Sequence, residues 1–278
     1  MTLGLLAGAA LAGLLIGLSL GLLGGGGSIL AVPVLLALGQ TAGQATTGSL
    51  AVVAATSLVG AVAAQRVGST VLVGGGVAFG GLAVGGAALG AHAAGAVPDA
   101  VLLLAFAALL LVVAGLMVRR QLRAGASGPA VGHRSHVGID DPIITFTPAF
   151  ACACPRAVKV LVTATLVGLL TGFLGVGGGF LVVPALVIAL GLPMAAAVGT
   201  SLVAIAVTSL AALLVRLGAT QQPDWHLVAL LTGLAVAGAL VGTWVARRVE
   251  AGRLQAAFTA LLVVVAVWTA ARGLPALA

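Results

Sequence analysis

Eight apolar stretches follow one another along the chain: residues 3–38, 43–64, 70–92 and 100–118, then, beyond a polar stretch, 156–190, 196–215, 226–246 and 254–271. Six of them are close to the ~20 residues a helix needs to cross the hydrocarbon of a bilayer, so the pattern predicts six plain spans. The two longest, 3–38 and 156–190, do not fit. At ~1.5 Å per residue each is too long for one comfortable span and too short for two with a turn. Both carry a glycine cluster in mid-stretch, GLLGGGGSILAVP (21–33) and GFLGVGGGFLVVP (172–184), followed by an apolar run ending in proline. They are predicted to enter the membrane, break at the glycines and return to the side they left.

The two long stretches open equivalent halves. With Pro33 placed on Pro184, Gly24, Gly26 and Gly27 fall on Gly175, Gly177 and Gly178. After a one-residue insertion, Ser49 falls on Ser201, Thr56 on Thr208 and Ser57 on Ser209. The same offset puts GGLAVGGAALG (80–90) on TGLAVAGALVG (232–242), and Phe106 on Phe258. Alanine, glycine and leucine match easily by chance, so the proline, serine and threonine coincidences carry the weight. The chain reads as a duplication.

The charges orient the copies. The stretch 92–100 holds no Lys or Arg, whereas its equivalent, 244–253, holds Arg247, Arg248 and Arg253. By the positive-inside rule these equivalent loops lie on opposite sides of the membrane, which makes the repeat inverted. Inversion needs an odd number of crossings per copy. Three spans plus a re-entrant hairpin supply it, and Arg66, Arg119, Arg120, Arg123, Arg156 and Lys159 then lie inside. Arg216 and Arg272 lie outside as two exceptions. The expected fold class is an all-α integral membrane protein of two inverted repeats, each of three transmembrane helices plus a glycine-broken hairpin. Residues 1–120 form the first repeat, 121–155 a cytoplasmic polar linker and 156–278 the second repeat. The competing arrangement, eight plain spans in parallel repeats, leaves 3–38 and the charge swap unexplained.

Composition agrees. The chain is 62% hydrophobic and 6% charged, against about a quarter charged for a soluble domain, and its 42 glycines suit close approach of membrane helices. The net charge of +7 sits at the edges of apolar runs, with no basic stripe and interleaved aromatics, so it speaks of topology and excludes nucleic acid. The N-terminus lacks a positive n-region, and 3–23 is too long for a signal h-region. It is expected to be retained in a multi-pass plasma-membrane protein.

Irregular backbone at membrane depth is tolerated only where it is buried in protein or lines a cavity. Interrupted segments at matching positions of inverted halves point to a transporter's midplane site. Freed N–H groups and helix dipoles there favour an anion. The candidate substrate-binding residues are therefore Gly24, Gly25, Gly26, Gly27 and Ser28, with Gly175, Gly177, Gly178 and Gly179. Thr47, Ser49, Thr200 and Ser201 join them from the next segments, and Thr56, Ser57, Thr208 and Ser209 form a second polar set. Such hydroxyls either donate to an oxyanion, bond back to a preceding carbonyl or knit helices together. Pro33 and Pro184 mark hinges in the returning arms, where a break or kink is expected.

Other chemistries are poorly served. GVGGGF lacks the Lys-Ser/Thr of a P-loop. No Asp, Glu or Lys falls inside a span, so a carboxylate proton relay is absent. His92 and His226 sit at segment ends, where capping or interfacial roles are expected, and Arg66 and Arg216 read as topology anchors or as attractors of anions. In the linker, His133, His136, Cys152 and Cys154 have tetrahedral metal ligand chemistry, but the CxC spacing is less usual than CxxC. Asp140 and Asp141 share that stretch, and a plain connector without metal or cofactor is expected.

GLLGGGGSILAVP, and especially GFLGVGGGFLVVPALVIALGLPMAAAVGTSL, resemble the paired signatures of the TauE/SafE sulfite-exporter family of membrane permeases. The likeness covers essentially everything outside 121–155. It implies export of sulfite, sulfoacetate or a related sulfur-containing anion by a carrier that is not an enzyme. The first copy departs from the stronger motif, with Ser28 for a glycine and TTGS for GTS, which implies unequal half-sites. The partners expected are a small anion, the lipid bilayer and, compatibly with the sequence, further copies of the chain. The rivals are an anion channel or facilitator for another small anion and a non-transporting scaffold subunit.

Overall fold

The computed structural model describes residues 3–66, 68, 71–94, 99–126, 154–174, 179–216 and 223–273. These form α1 (Leu3–Leu23), α2 (Gly27–Ala37), α3 (Ala42–Arg66), α4 (Val73–Ala94), α5 (Asp99–Ala126), α6 (Cys154–Leu174), α7 (Gly179–Pro184), α8 (Met194–Arg216), α9 (Trp225–Ala246) and α10 (Ala251–Gly273), with a π-helical turn, Ala185–Ala189, after α7. No strand occurs among the described residues. Five helices, α3, α4, α8, α9 and α10, are long and apolar enough to cross a membrane. The sixth expected span falls within α5, which is 28 residues long. Large apolar side chains such as Leu89, Leu111, Leu214 and Val264 stay exposed on outer faces, where a bilayer is the solvent that accepts them. Helix reaches into both ends of the expected linker. His133, His136, Asp140, Asp141 and Cys152 lie outside the described residues.

The first long stretch does break at its glycines. Gly24 ends α1 with φ +72°, a left-handed residue that glycine adopts without strain, and its N–H bonds the Leu20 carbonyl at 2.8 Å. The chain then folds back, so that Gly27 lies on the Ile16 carbonyl and beside Leu20. The returning α2 has 11 residues and rises about 16 Å, roughly half a span. In the second stretch α6 ends at Leu174 and α7 begins at Gly179. Gly175, Gly177 and Gly178 lie outside the described residues.

The prolines behave differently from one another. Of the break or kink expected at Pro33, the break does not occur: α2 runs through it from Gly27 to Ala37. Buried Ile29 and Ala31 before it and Leu35 after it hold both sides of the helix against the core, so losing the one bond to the Ile29 carbonyl does not end the helix. Pro184 closes α7, and the chain continues as the π turn, with Leu190 N–H bonding the Ala185 carbonyl at 3.4 Å. A π turn is an α turn carrying one inserted residue. It lies where the offset between the halves changes from 151, at Pro33 and Pro184, to 152, at Gly39 and Gly191. Those two glycines end their arms with φ +89° and +72°. The insertion seen in the sequence is this turn.

The contacts of α1 with α9 and of α6 with α4 correspond to each other with the partners exchanged. Helices α1 and α9 run side by side in the same direction, with Gly17 on the Ala235 carbonyl, Gly21 on the Ala239 carbonyl and Gly238 on the Leu14 carbonyl. In the same way α6 lies along α4, with Gly168 on Ala83, Gly172 on Ala87 and Gly86 on Thr165. Each of these residues matches its counterpart at the offsets read from the sequence. Glycine at these places lets two backbones touch, which is how membrane helices associate without a hydrophobic driving force between them. At the centre α3 and α8 cross antiparallel: Gly60 lies near Leu202, and the Arg216 guanidinium at the end of α8 donates to Thr46 Oγ1 at the start of α3, at 2.8 Å. Helices α5 and α10 pack together at the side, and Phe106 of α5 meets Phe180 of α7 edge-on, with centroids 5.4 Å apart.

Candidate functional site

The tip of the first hairpin is buried against α7, α8 and α10. Gly24 faces Val198 and Ser201, Gly25 faces the Gly179 carbonyl, and Gly26 faces Leu261. Residues 24–28 are all buried. The Gly24 amide is used by Leu20, and Ser28 N–H reaches the Gly25 carbonyl at a long 3.3 Å. The amides of Gly25 and Gly26 have no acceptor among the described residues. Buried unpaired N–H groups are costly. Here two adjacent ones without an acceptor among the described residues immediately precede α2, an arrangement that an oxyanion would satisfy.

Three of the predicted side chains or backbones join this tip. Ser201 Oγ lies 2.8 Å from the Gly24 carbonyl and 2.7 Å from the Val198 carbonyl, tying α8 to the break. Ser28 Oγ donates to the Gly25 carbonyl at 2.8 Å, closing the break on itself. Gly179, the first residue of α7, lies against Ser28. Gly24, Gly25, Gly26, Gly27, Ser28, Gly179 and Ser201 are thus one cluster.

Four other hydroxyls turn back on their own helices. Thr47 donates to the Gly43 carbonyl at 3.0 Å, Ser49 to Thr46 at 2.8 Å, Thr56 to Val52 at 2.6 Å and Thr208 to Ile205 at 3.1 Å. Their protons are committed, as the back-bonding alternative expects. Ser209 is buried, and Ser57 Oγ is buried with no partner among the described residues.

Thr200 has a different task. Its Oγ1 accepts from Leu72 N–H at 3.2 Å and so caps α4 from the other half of the chain. The equivalent helix, α9, has its own cap: Asp224 Oδ1 accepts from His226 N–H at 3.0 Å and Leu227 N–H at 3.4 Å. Leu72 stands where α9 has Asp224, and Gly48 stands where α8 has Thr200. Each helix therefore receives one cap, from opposite sources. Thr200→Val and Asp224→Ala are each expected to cost about 1 kcal/mol of stability, read as a lowered melting temperature in detergent. An unchanged melt for Thr200→Val would show that α4 draws nothing from the bond.

Among the described residues no acid or base belongs to the cluster. Arg66, Arg216, Asp224, Arg247, Glu250 and Arg253 are exposed at helix ends, Arg248 stacks 3.6 Å over the Trp244 ring, and Lys159 is exposed in α6. His226 is exposed in the first turn of α9. The described residues contain no group of three or more His, Cys, Asp or Glu able to hold a metal ion.

The glycines that join the halves, Gly17, Gly21, Gly168 and Gly172, went unremarked in the sequence reading. Their signal was present: a Gly-x-x-x-Gly spacing in the first segment of each copy, repeated at an offset of 151.

A family model described as sulfite exporter TauE/SafE matches residues 9–269. Two proteins of Xylella fastidiosa, from strains Temecula1 and 9a5c, each described as a probable membrane transporter protein, are 31% identical over 257 residues, covering 91% of this chain and 90% of theirs. No solved structure matches significantly.

Proposed function

The chain belongs to the TauE/SafE sulfite exporter family of multi-pass membrane transporters, and from that premise we propose that it exports a small sulfur-containing oxyanion, such as sulfite or sulfoacetate, by alternating access. The observation that carries the proposal is the meeting of the first break with Gly179, the first residue of α7. Gly24 and Gly25 lie against Ser201 and Gly179 of the other half, and the amides of Gly25 and Gly26 have no acceptor among the described residues. In this reading the amides hold the anion, and Ser201, bonded to the Gly24 carbonyl, holds the loop that carries them.

The two halves act as inverted repeats in this reading. It is supported by α3 and α8, which correspond through Ser49 and Ser201 yet run antiparallel, and by the exchanged contacts of α1 with α9 and α6 with α4. Rocking of one half against the other opens the site to each face in turn, with Pro33 and Pro184 as hinges. The chain sits in the plasma membrane with 121–155 on the cytoplasmic side.

Export needs no coupled ion. An inside-negative potential favours exit of an anion by ~2.3 kcal/mol per charge per 100 mV. For a dianion this is about 4.6 kcal/mol, or roughly three decades of concentration ratio. Sulfite efflux from proteoliposomes under an imposed potential is expected to be saturable, to rise with inside-negative voltage and to exceed chloride efflux, with sulfoacetate, thiosulfate and sulfate ranked beside it. Flux driven by a pH gradient at zero potential would overturn the uniport mechanism, and no flux of any anion would overturn the transport reading.

A further inference from the structure

Ser28 and Gly179 are equivalent residues, 151 apart like the two prolines, and they touch. A Cβ added to Gly179 would stand 2.7 Å from Ser28 Oγ and 3.2 Å from Ser28 Cβ, with Ile205 Cδ1 at 3.1 Å. Ser28 itself is 2% exposed, so neither side chain can swing away. Equivalent residues that meet lie on the axis relating the two halves. Whatever side chain one of them carries, the other must make room for it.

We propose that this axial slot between the two breaks holds one small side chain, that Ser28 fills it, and that its hydroxymethyl group sets which anion the site accepts. The proposal rests on the inverted-repeat transport reading above and gives the departure of the first copy from the glycine of the second a physical reason. Two serines would collide in the slot, and two glycines would leave it empty. The Ser28 hydroxyl has a second consequence. By donating to the Gly25 carbonyl at 2.8 Å, it holds that peptide in place, and the unpaired Gly25 and Gly26 amides with it. The slot is thus both a spacer between the breaks and a clamp on the donors that face the anion.

The test compares wild type, Ser28→Gly, Gly179→Ser and the exchanged double variant Ser28→Gly/Gly179→Ser, by melting temperature in detergent and by efflux of sulfite and sulfoacetate from proteoliposomes. Gly179→Ser alone is expected to melt lower and to lose efflux, because two serines occupy one slot. The double variant is expected to recover both, because the serine has only changed sides. Ser28→Gly is expected to raise the sulfoacetate-to-sulfite efflux ratio on the order of tenfold, the scale on which a pocket discriminates one small group. A double variant no better than Gly179→Ser would overturn the shared slot. An unchanged ratio in Ser28→Gly would overturn the role in selection. If wild type moves neither anion, the transport reading falls and the selection role with it, while the melting rescue still reports on the slot.

Discussion

Gly17→Val is expected to leave no monodisperse folded protein in detergent, and Gly168→Val to fail in the same way. Gly81→Val and Gly233→Val are expected to elute and melt like wild type. In both sensitive positions the added side chain would be aimed at a backbone carbonyl, Ala235 for Gly17 and Ala83 for Gly168. Overpacking a core of side chains costs about 1–3 kcal/mol because neighbours can rotate away. A carbonyl held in a helix cannot rotate, so the two helices must separate. Moving α1 off α9 would also undo the contacts at Gly13, Gly21, Gly238 and Gly242, which are the packing that holds such helices together in lipid. Gly81 and Gly233 are equivalent positions with nothing within 4 Å, so they separate the effect of contact from that of removing a glycine from a helix. A normal melt for Gly17→Val would mean that the helices do not approach as closely as the structure places them.

The sequence revealed the breaks more readily than the partners. A glycine cluster in an apolar run of the wrong length has few physical explanations, and the break at residues 24–26 is the expected one. Which helices embrace could not be read in the same way. A helix apolar on every face has no stripe pointing toward its neighbour, so the pairing of α1 with α9 rested on a glycine spacing easily lost among 42 glycines. The one-residue insertion was visible as a change of offset. Only the fold shows that it is taken up as a π turn after Pro184, whereas Pro33 is absorbed within α2.

Hydroxyls were the least legible. Ser49 and Ser201 are equivalent and each reaches the carbonyl three residues back, Thr46 and Val198, yet of the two only Ser201 also reaches the Gly24 carbonyl. Residue type is the same in both, and what differs is whether a broken strand of backbone lies within reach. Thr200 makes the same point, because its bond to Leu72 exists for want of a capping residue at the start of α4. Ligand hydroxyls and structural hydroxyls share one chemistry, and only the surroundings divide them.

Gly25→Ala is expected to leave the protein folded and to cut anion efflux about a hundredfold, the scale of loss when binding groups are displaced by ~1 Å. Gly25 does not need glycine's conformational freedom, since its φ is not positive, unlike the +72° of Gly24. Alanine is comfortable in its backbone conformation, so the defect must come from contact. That contact is the Gly179 carbonyl at the start of α7, onto which the methyl group would be built. The hairpin stays anchored by the Gly24 cap on Leu20 and by Ser201, so the displacement falls on residues 25–26, whose amides have no acceptor among the described residues. Efflux at matched incorporation, read beside the melting temperature, separates this outcome from misfolding. Gly24→Ala is the contrasting case. There the side chain would meet both a left-handed backbone and Val198 Cα at 2.8 Å, so loss of stability accompanies loss of flux. Wild-type efflux from Gly25→Ala would show that the anion does not depend on the meeting of the first break with Gly179.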